Sequence, residues 1–183
     1  MDVRFSALGF RSMLPVFAVL AASCASPPDG KAARTAGDAC SRLRAVIAAA
    51  DDRFESIKRQ RVPHRLGDRW EAVGIFPATA CEVWEWGGNE HYYCLWNETG
   101  EAAARQAFDD GKEAVRACLG EAWTLSEEEA KTGRVAVFSK NDEDTRVSLR
   151  YLADTRGYRP TWHTGLIIGN IPRLQGPPYH PVQ

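Results

Sequence analysis

Apolar residues recur at intervals of three and four in two stretches of the chain, and this spacing predicts two helices that each bury one face. The first helix follows Asp38, a residue type that caps helix N-termini, and is expected to end before Pro63. The second follows Thr99 and Gly100 and is expected to end at Gly120. The apolar positions are Cys40, Leu43, Ile47, Ala50, Phe54 and Ile57 in the first helix and Ala104, Phe108, Gly111, Val115, Cys118 and Leu119 in the second.

Segments rich in aromatic and β-branched residues predict the strands of an antiparallel sheet. Two of them flank the pair Gly87 and Gly88 and are expected to form a hairpin. A further candidate strand at 70–76 is weakened by Gly74. The strands are predicted at 79–86, 89–96, 133–140, 145–154 and 161–169.

Strand 145–154 alternates apolar and polar residues, a pattern typical of a strand with one face in the core. Val147, Leu149 and Tyr151 would form the buried face. We expect the other face of this strand, with Arg146, Ser148 and Arg150, to be solvated.

The order of these elements predicts an α+β fold. We expect a disulfide-stabilised antiparallel sheet of about five strands, with two helices packed on one face, in the order α-(β)-β-β-α-β-β-β. A single domain would span 38–171, and the Pro-rich segment 172–183 would form a loose tail.

The N-terminal segment has the parts of a secretory signal peptide. Arg4 and Arg11 supply its basic part, and an apolar stretch at 13–22 follows, which is too short to cross a membrane. The run from Leu20 to Cys24 (LAASC) resembles the lipobox of bacterial lipoproteins. This resemblance implies that residues before Cys24 are removed as a signal peptide, 1–23, and that Cys24 becomes lipidated.

The same resemblance implies a cellular location. Ala25 follows the cysteine in place of the Asp that is associated with inner-membrane retention, so the resemblance implies an outer-membrane anchor facing the periplasm of a Gram-negative envelope. Leu20 stands one position further from the cysteine than in the usual lipobox. Ordinary cleavage after Ala25 is the alternative, and it would release a soluble periplasmic protein. Residues 24–37 are rich in Pro, Gly and Ala and are expected to act as a flexible tether.

Four further cysteines suit an exported chain, because the periplasm permits disulfides. Cys40 near the start of the first helix would meet Cys118 near the end of the second if the helices pack antiparallel. A two-residue hairpin turn places Cys81 directly opposite Cys94. A longer turn would place Val83 opposite Cys94, so the second pairing depends on turn length.

Composition and motifs exclude several functional classes. The 183-residue chain has 23 basic and 24 acidic residues and a net charge of -1, so no global positive field would hold nucleic acid. The sequence contains no Gly-rich phosphate loop and no GxSxG nucleophile motif. Oxidised cysteines would also supply no catalytic thiolate. We therefore predict no cofactor and assign no catalytic residue.

The potential metal ligands do not form a recognised site. His64, His91, His163 and His180 are scattered and show no zinc-binding spacing. The segment 141–144 (NDED) lacks the spacing of a calcium loop and predicts a solvated hairpin turn. Glu127, Glu128 and Glu129 resemble a solvated helical turn or loop. We predict no metal site.

The hairpin offers the sharpest candidate for binding. In the two-residue-turn register, one sheet face carries Glu82, Trp84, Trp86, His91 and Tyr93, with Trp84 opposite His91. Both hairpin faces are rich in aromatic residues, whereas two helices can cover only one of them. The surplus could receive a sugar ring or a protein partner. Packing of these aromatic residues under a helix or loop is the alternative.

Two functional hypotheses follow. The first is a noncatalytic envelope lipoprotein, held to the membrane by its lipid, that binds an envelope protein or peptidoglycan component as an adaptor, inhibitor or immunity-type factor. The second is an envelope hydrolase with a polar site assembled from loops, for which His91, Glu82 and His163 are the candidates. A purely structural envelope protein is a third possibility.

Overall fold

The structure is a computed structural model, and it describes residues 30–64, 67–75, 80–86, 88–98 and 100–170. Only the backbone is described at 30–37, 86 and 97. The predicted signal peptide, the lipidation site Cys24, His180 and the Pro-rich tail lie outside these residues.

The described residues form two helices and one eight-stranded sheet. Helix α1 spans Gly30–Ala48 and is followed by two short 3-10 turns, Ala49–Asp52 and Glu55–Ile57. Helix α2 spans Glu101–Leu119. The strands are β1 Lys58–Val62, β2 Arg69–Ala72, β3 Ala80–Trp86, β4 Asn89–Glu98, β5 Thr124–Ala130, β6 Gly133–Ser139, β7 Thr145–Asp154 and β8 Thr161–Asn170.

The sheet is assembled from two halves of the same topology. Each half is a 19-residue helix followed by four strands that pair in sequence order. The full strand order is β1-β2-β3-β4-β8-β7-β6-β5, and every pairing is antiparallel. The last strands of the two halves, β4 and β8, therefore meet at the centre of the sheet and place β1 and β5 at its edges.

The core lies between the helices and one face of the sheet. Helix α2 buries Ala104, Phe108 and Val115 against the central strands. Thr164 of β8 donates a 3.1 Å hydrogen bond to the backbone oxygen of Ala104. Further buried residues come from both halves: Leu43, Val46, Phe54, Val83, Tyr92, Phe138, Val147, Leu149, Leu166 and Ile168.

The two disulfides join the pairs of cysteines that are expected from antiparallel packing of the helices and from a two-residue hairpin turn. Cys40 of α1 is bonded to Cys118 of α2, which joins the two halves. Cys81 and Cys94 are directly opposite in the β3–β4 ladder, as the two-residue turn predicts. The boundaries of α2 are also confirmed, with Gly120 at φ 73° directly after its end.

The predicted fold, with a sheet of about five strands, is wrong, because the sheet has eight. Strand β1 (KRQRV) lies in the stretch expected to belong to the first helix, and β5 (TLSEEEA) contains the glutamates expected in a helical turn or loop. Both are edge strands with mostly exposed, charged side chains, so they lack the apolar alternation that identifies a strand in a sequence. Strand β2 is shorter than the predicted 70–76 and ends at Ala72.

The first helix also differs from its prediction. It begins at Gly30 instead of Asp38, because helix-favouring residues such as Ala33 occur within the expected tether. It ends at Ala48, well before Pro63. Arg53 and Phe54 then adopt left-handed conformations with φ of 60° and 62°, which turn the chain. Phe54 still enters the core, so its helical spacing from Ala50 indicates burial and not a continuing helix.

Candidate ligand-binding face

The candidate site lies on the face of the sheet that is turned away from the two helices, which we call the distal face. Tyr92 and Cys94 point into the helix-side core. Their neighbours His91 and Tyr93 therefore point to the distal face, because successive residues of a strand alternate.

Cross-strand pairing brings four of the predicted binding residues together on this face. Trp84 pairs with His91, and Glu82 pairs with Tyr93. Trp86 pairs with Asn89 through its backbone, while the Trp86 side chain lies outside the described residues.

The half-buried indole of Trp84 is held by three neighbours. Its Nε1 donates a 2.9 Å hydrogen bond to Glu82 Oε2. The Arg69 guanidinium lies 5.3 Å from the centre of the Trp84 ring and 3.5 Å from the same Glu82 oxygen. The ring of His64 meets Trp84 edge-on at 4.9 Å. These contacts fix the orientation of the ring, and a fixed aromatic ring loses little entropy when it binds a partner.

Two glycines of β8 make room for the rings of β4. A Cβ atom at Gly165 would lie 3.3 Å from Tyr93 Cε2, and one at Gly169 would lie 3.0 Å from His91 Nδ1. Gly169 also has φ of 148°, which L side chains rarely adopt. The two rings can therefore lie across β8 towards β7.

Arg150 of β7 completes the centre of the distal face. It pairs with Gly165, on the opposite side of β8 from Tyr93. Burial lowers the pKa of His91, and the positive charge of Arg150 lowers it further. Burial raises the pKa of the Tyr93 hydroxyl, although Arg150 opposes that change. His91 and Tyr93 are thus both uncharged at neutral pH, so they can bind a ligand through neutral hydrogen bonds.

Three buried polar atoms of the distal face have no hydrogen-bond partner among the described residues. They are Arg69 Nε on β2, His91 Nδ1 on β4 and Ser148 Oγ on β7. A buried polar group without a partner costs about 1–3 kcal/mol, so natural folds rarely keep several together. Their concentration on one face adds to the reasons for treating the distal face as the candidate site.

The solvated face expected for strand 145–154 is not observed. Ser148 is 0% exposed and Arg150 is 4% exposed. Alternation in the sequence shows which side chains share a face of a strand. It does not show whether that face is buried, because the rings of Tyr93 and His91 beside Arg150 come from a strand distant in the sequence. Ser148 and Arg150 were therefore not among the predicted site residues. Arg69 was not among them either, because it lies one residue before the candidate strand at 70–76.

The three hydrolase candidates are not brought together. His91 pairs with Gly169 near one end of the central ladder, whereas His163 pairs with Asn97 near the other end. Six strand positions separate them, or about 20 Å. Glu82 is engaged by Trp84 and Arg69. The geometry thus offers no acid–base pair among these three residues.

A cleft of about 560 Å³ lies elsewhere, between the end of α1 and the β6–β7 turn. Trp123 and Asp51 line it, together with the 141–144 turn predicted from the sequence. The carboxylates of that turn are exposed, and solvent screens exposed charges strongly. No group of three or more His, Cys, Asp or Glu residues in the described part of the chain is arranged to hold a metal ion.

No protein-family model, curated protein or solved structure matches this chain. Within the described residues, no helix is both long and apolar enough to cross a membrane.

Proposed function

We propose that this chain is a noncatalytic, exported lipoprotein that binds a cell-wall component on its distal face. The observation that carries the proposal is the oriented indole of Trp84 on the distal face, which is only half-buried and is flanked on the neighbouring strands by the partly exposed side chains of Arg69 and His91. A bound molecule would stack on the indole and hydrogen-bond to these two side chains.

A saccharide suits this arrangement better than an apolar protein surface. Sugar hydroxyls both donate and accept hydrogen bonds, so one ligand can satisfy the guanidinium donor of Arg69 and the imidazole of His91. The apolar side of a sugar ring can stack on an indole such as Trp84, whose orientation is fixed by Glu82 and Arg69. We therefore favour a peptidoglycan saccharide, with an envelope protein as the other outcome of the test.

The cellular location in this proposal is supported by two features. The lipobox-like segment supports lipidation at Cys24 and an outer-membrane anchor. The disulfides Cys40–Cys118 and Cys81–Cys94 support export, because cytosolic thiols are normally kept reduced. A tethered binding domain facing the periplasm would have direct access to the wall.

The test is calorimetric titration of the purified chain with soluble peptidoglycan fragments. Trp84→Ala should weaken binding at least about tenfold, since a central aromatic anchor is typically worth more than about 1 kcal/mol. Trp123→Ala is the matched control, because Trp123 is also half-buried but lines the separate cleft. His91→Ala should weaken binding less, by the loss of a single neutral hydrogen bond.

Three outcomes would contradict the proposal. Equal losses for the Trp84 and Trp123 variants would place the ligand elsewhere. Cleavage of the fragments by the chain, detected by mass spectrometry and abolished by His91→Ala, would replace binding with catalysis. If the fragments do not bind, a photoreactive residue at position 84 should be introduced in cells. A protein crosslinked there, but not from position 123, would identify a protein ligand and rule out the saccharide.

A further inference from the structure

The two edge strands of the sheet carry opposite charges. Strand β1 (KRQRV) is basic and β5 (TLSEEEA) is acidic, and in the described part of the chain each pairs with a neighbour on one side only. The two strands hold equivalent positions in the two halves of the fold. Each edge therefore presents backbone hydrogen-bonding groups beside side chains of one dominant sign.

Part of this charge is balanced within the chain. Lys58 pairs with Glu90 at 3.1 Å, Glu127 pairs with Lys112 at 3.1 Å, and Glu129 pairs with Arg134 at 2.7 Å. Arg61 pairs with Asp68. Arg59 and Glu128 are exposed and have no ion-pair partner among the described residues. One uncompensated charge of each sign thus remains, on opposite edges.

Strand direction also makes the edges compatible. Seven antiparallel pairings separate β1 from β5, so the two edge strands run in opposite directions. If a second copy lies beside the first in the same orientation, its β1 runs antiparallel to β5 of the first. The antiparallel alternation of the sheet would continue across the boundary, with the helices of both copies on the same side.

We propose that β5 of one copy pairs with β1 of a second copy, so that the chain assembles head to tail into a continuous sheet. This inference goes beyond the proposed function and does not depend on it. Pairing of two β1 edges would bring basic side chains together, and pairing of two β5 edges would bring acidic ones together. The charges thus disfavour closed, like-with-like dimers and favour the heterologous arrangement, in which Arg59 approaches Glu128.

The assembly is weak and sensitive to salt. A single strand pair buries less than the roughly 1,200 Å² of a standard interface, and the bulge between Lys58 and Arg61 shortens the regular edge. Charge pairs at an exposed edge are screened, because the Debye length falls from about 20 Å at 0.02 M salt to about 4 Å at 0.5 M. Association is therefore expected only at high protein concentration.

Sedimentation equilibrium tests the proposal, with Cys24→Ser in every variant so that neither lipid nor a free thiol drives association. The average mass should rise with concentration at 0.02 M salt, pass that of a dimer, and fall at 0.5 M salt. Arg59→Glu and Glu128→Lys should each weaken association about five- to tenfold, because attraction becomes repulsion. The double charge swap should restore it to within about threefold.

Matched controls are Arg42→Glu and Glu113→Lys, which make the same charge changes at exposed positions on the two helices, away from the edge strands. Circular dichroism would verify that each variant is folded. A monomer under all conditions, a mass that stops at a dimer, or equal effects of the edge and control variants would each overturn the proposal. The binding of wall fragments is measured separately at low concentration, so failure of one proposal does not decide the other.

Discussion

Removal of the Cys40–Cys118 disulfide is expected to destabilise the fold more than removal of the Cys81–Cys94 disulfide. The first links residues 78 positions apart and the second links residues 13 apart. A crosslink stabilises a fold largely because it restricts the unfolded chain, and this restriction grows with loop length.

The loop lengths give the size of each effect. Loop-closure entropy predicts a loss of about 4.5 kcal/mol for Cys40→Ala/Cys118→Ala and about 3 kcal/mol for Cys81→Ala/Cys94→Ala. The short loop lies inside the long one and shortens it slightly, which changes the larger figure by only about 0.2 kcal/mol. The two double variants should therefore differ by about 1.5 kcal/mol in free energy of unfolding.

The burial of the four cysteines predicts the reverse order of stability for the two variants, so the two arguments can be compared directly. Cys94 and Cys81 are 0% and 8% exposed, while Cys118 is 4% exposed and Cys40 is only half-buried. If lost apolar contact dominated, the Cys81/Cys94 variant would be the less stable of the two. Chain entropy and burial thus make opposite predictions for the same pair of proteins.

Guanidinium unfolding of the wild type and both double alanine variants measures the difference. The midpoint should fall furthest for the variant that lacks the helix–helix bridge, after allowance for any change in the denaturant slope. A Cys81/Cys94 variant that is equally or more destabilised would refute the entropy argument.

Three further predictions concern single residues. Lys58 and Glu90 form an ion pair with side chains 7% and 5% exposed. Lys58→Met should lower the free energy of unfolding in chemical denaturation by about 1–3 kcal/mol, because the buried Glu90 carboxylate loses one cation and keeps only the exposed Arg53 at 3.3 Å. Glu90→Gln in addition should recover part of this loss, and no recovery would contradict the prediction. Burial raises the pKa of Tyr92, so the free energy of unfolding should fall as pH rises above 10. Tyr92→Phe should flatten that decline. An unchanged decline in the variant would contradict the prediction. Burial lowers the pKa of His91, so the free energy of unfolding should fall as pH drops below 6.5. The NMR titration midpoint of the His91 imidazole should lie below 6.5. A midpoint above 6.5 would be inconsistent with the burial of this side chain.

Elements with strong local patterns could be predicted from the sequence. Helix α2 has an apolar stripe and a terminal Gly120, and both were sufficient to set its boundaries. The β3–β4 register followed from one assumption about turn length, which also placed Trp84 opposite His91. These features depend on residues close together in the sequence.

Features set by distant contacts could not be predicted in the same way. Strands β1 and β5 are recognisable only once β2 and β6 are in place, because their own residues are mostly charged and exposed. Burial of Arg150 depends on packing from outside its own strand, and the alternation in that strand indicated only a polar face. Sequence patterns report local preference, whereas burial is a property of the assembled sheet.

The distal face belongs to neither half of the chain alone. Trp84 and His91 come from the first half, and Ser148 and Arg150 come from the second. They share a face only because β4 pairs with β8 along the central seam. On the opposite side of the sheet, the Cys40–Cys118 bridge ties α1 of the first half to α2 of the second. This covalent link between the halves, together with the β4–β8 pairing, therefore holds in place the two parts of the chain from which the candidate site is assembled.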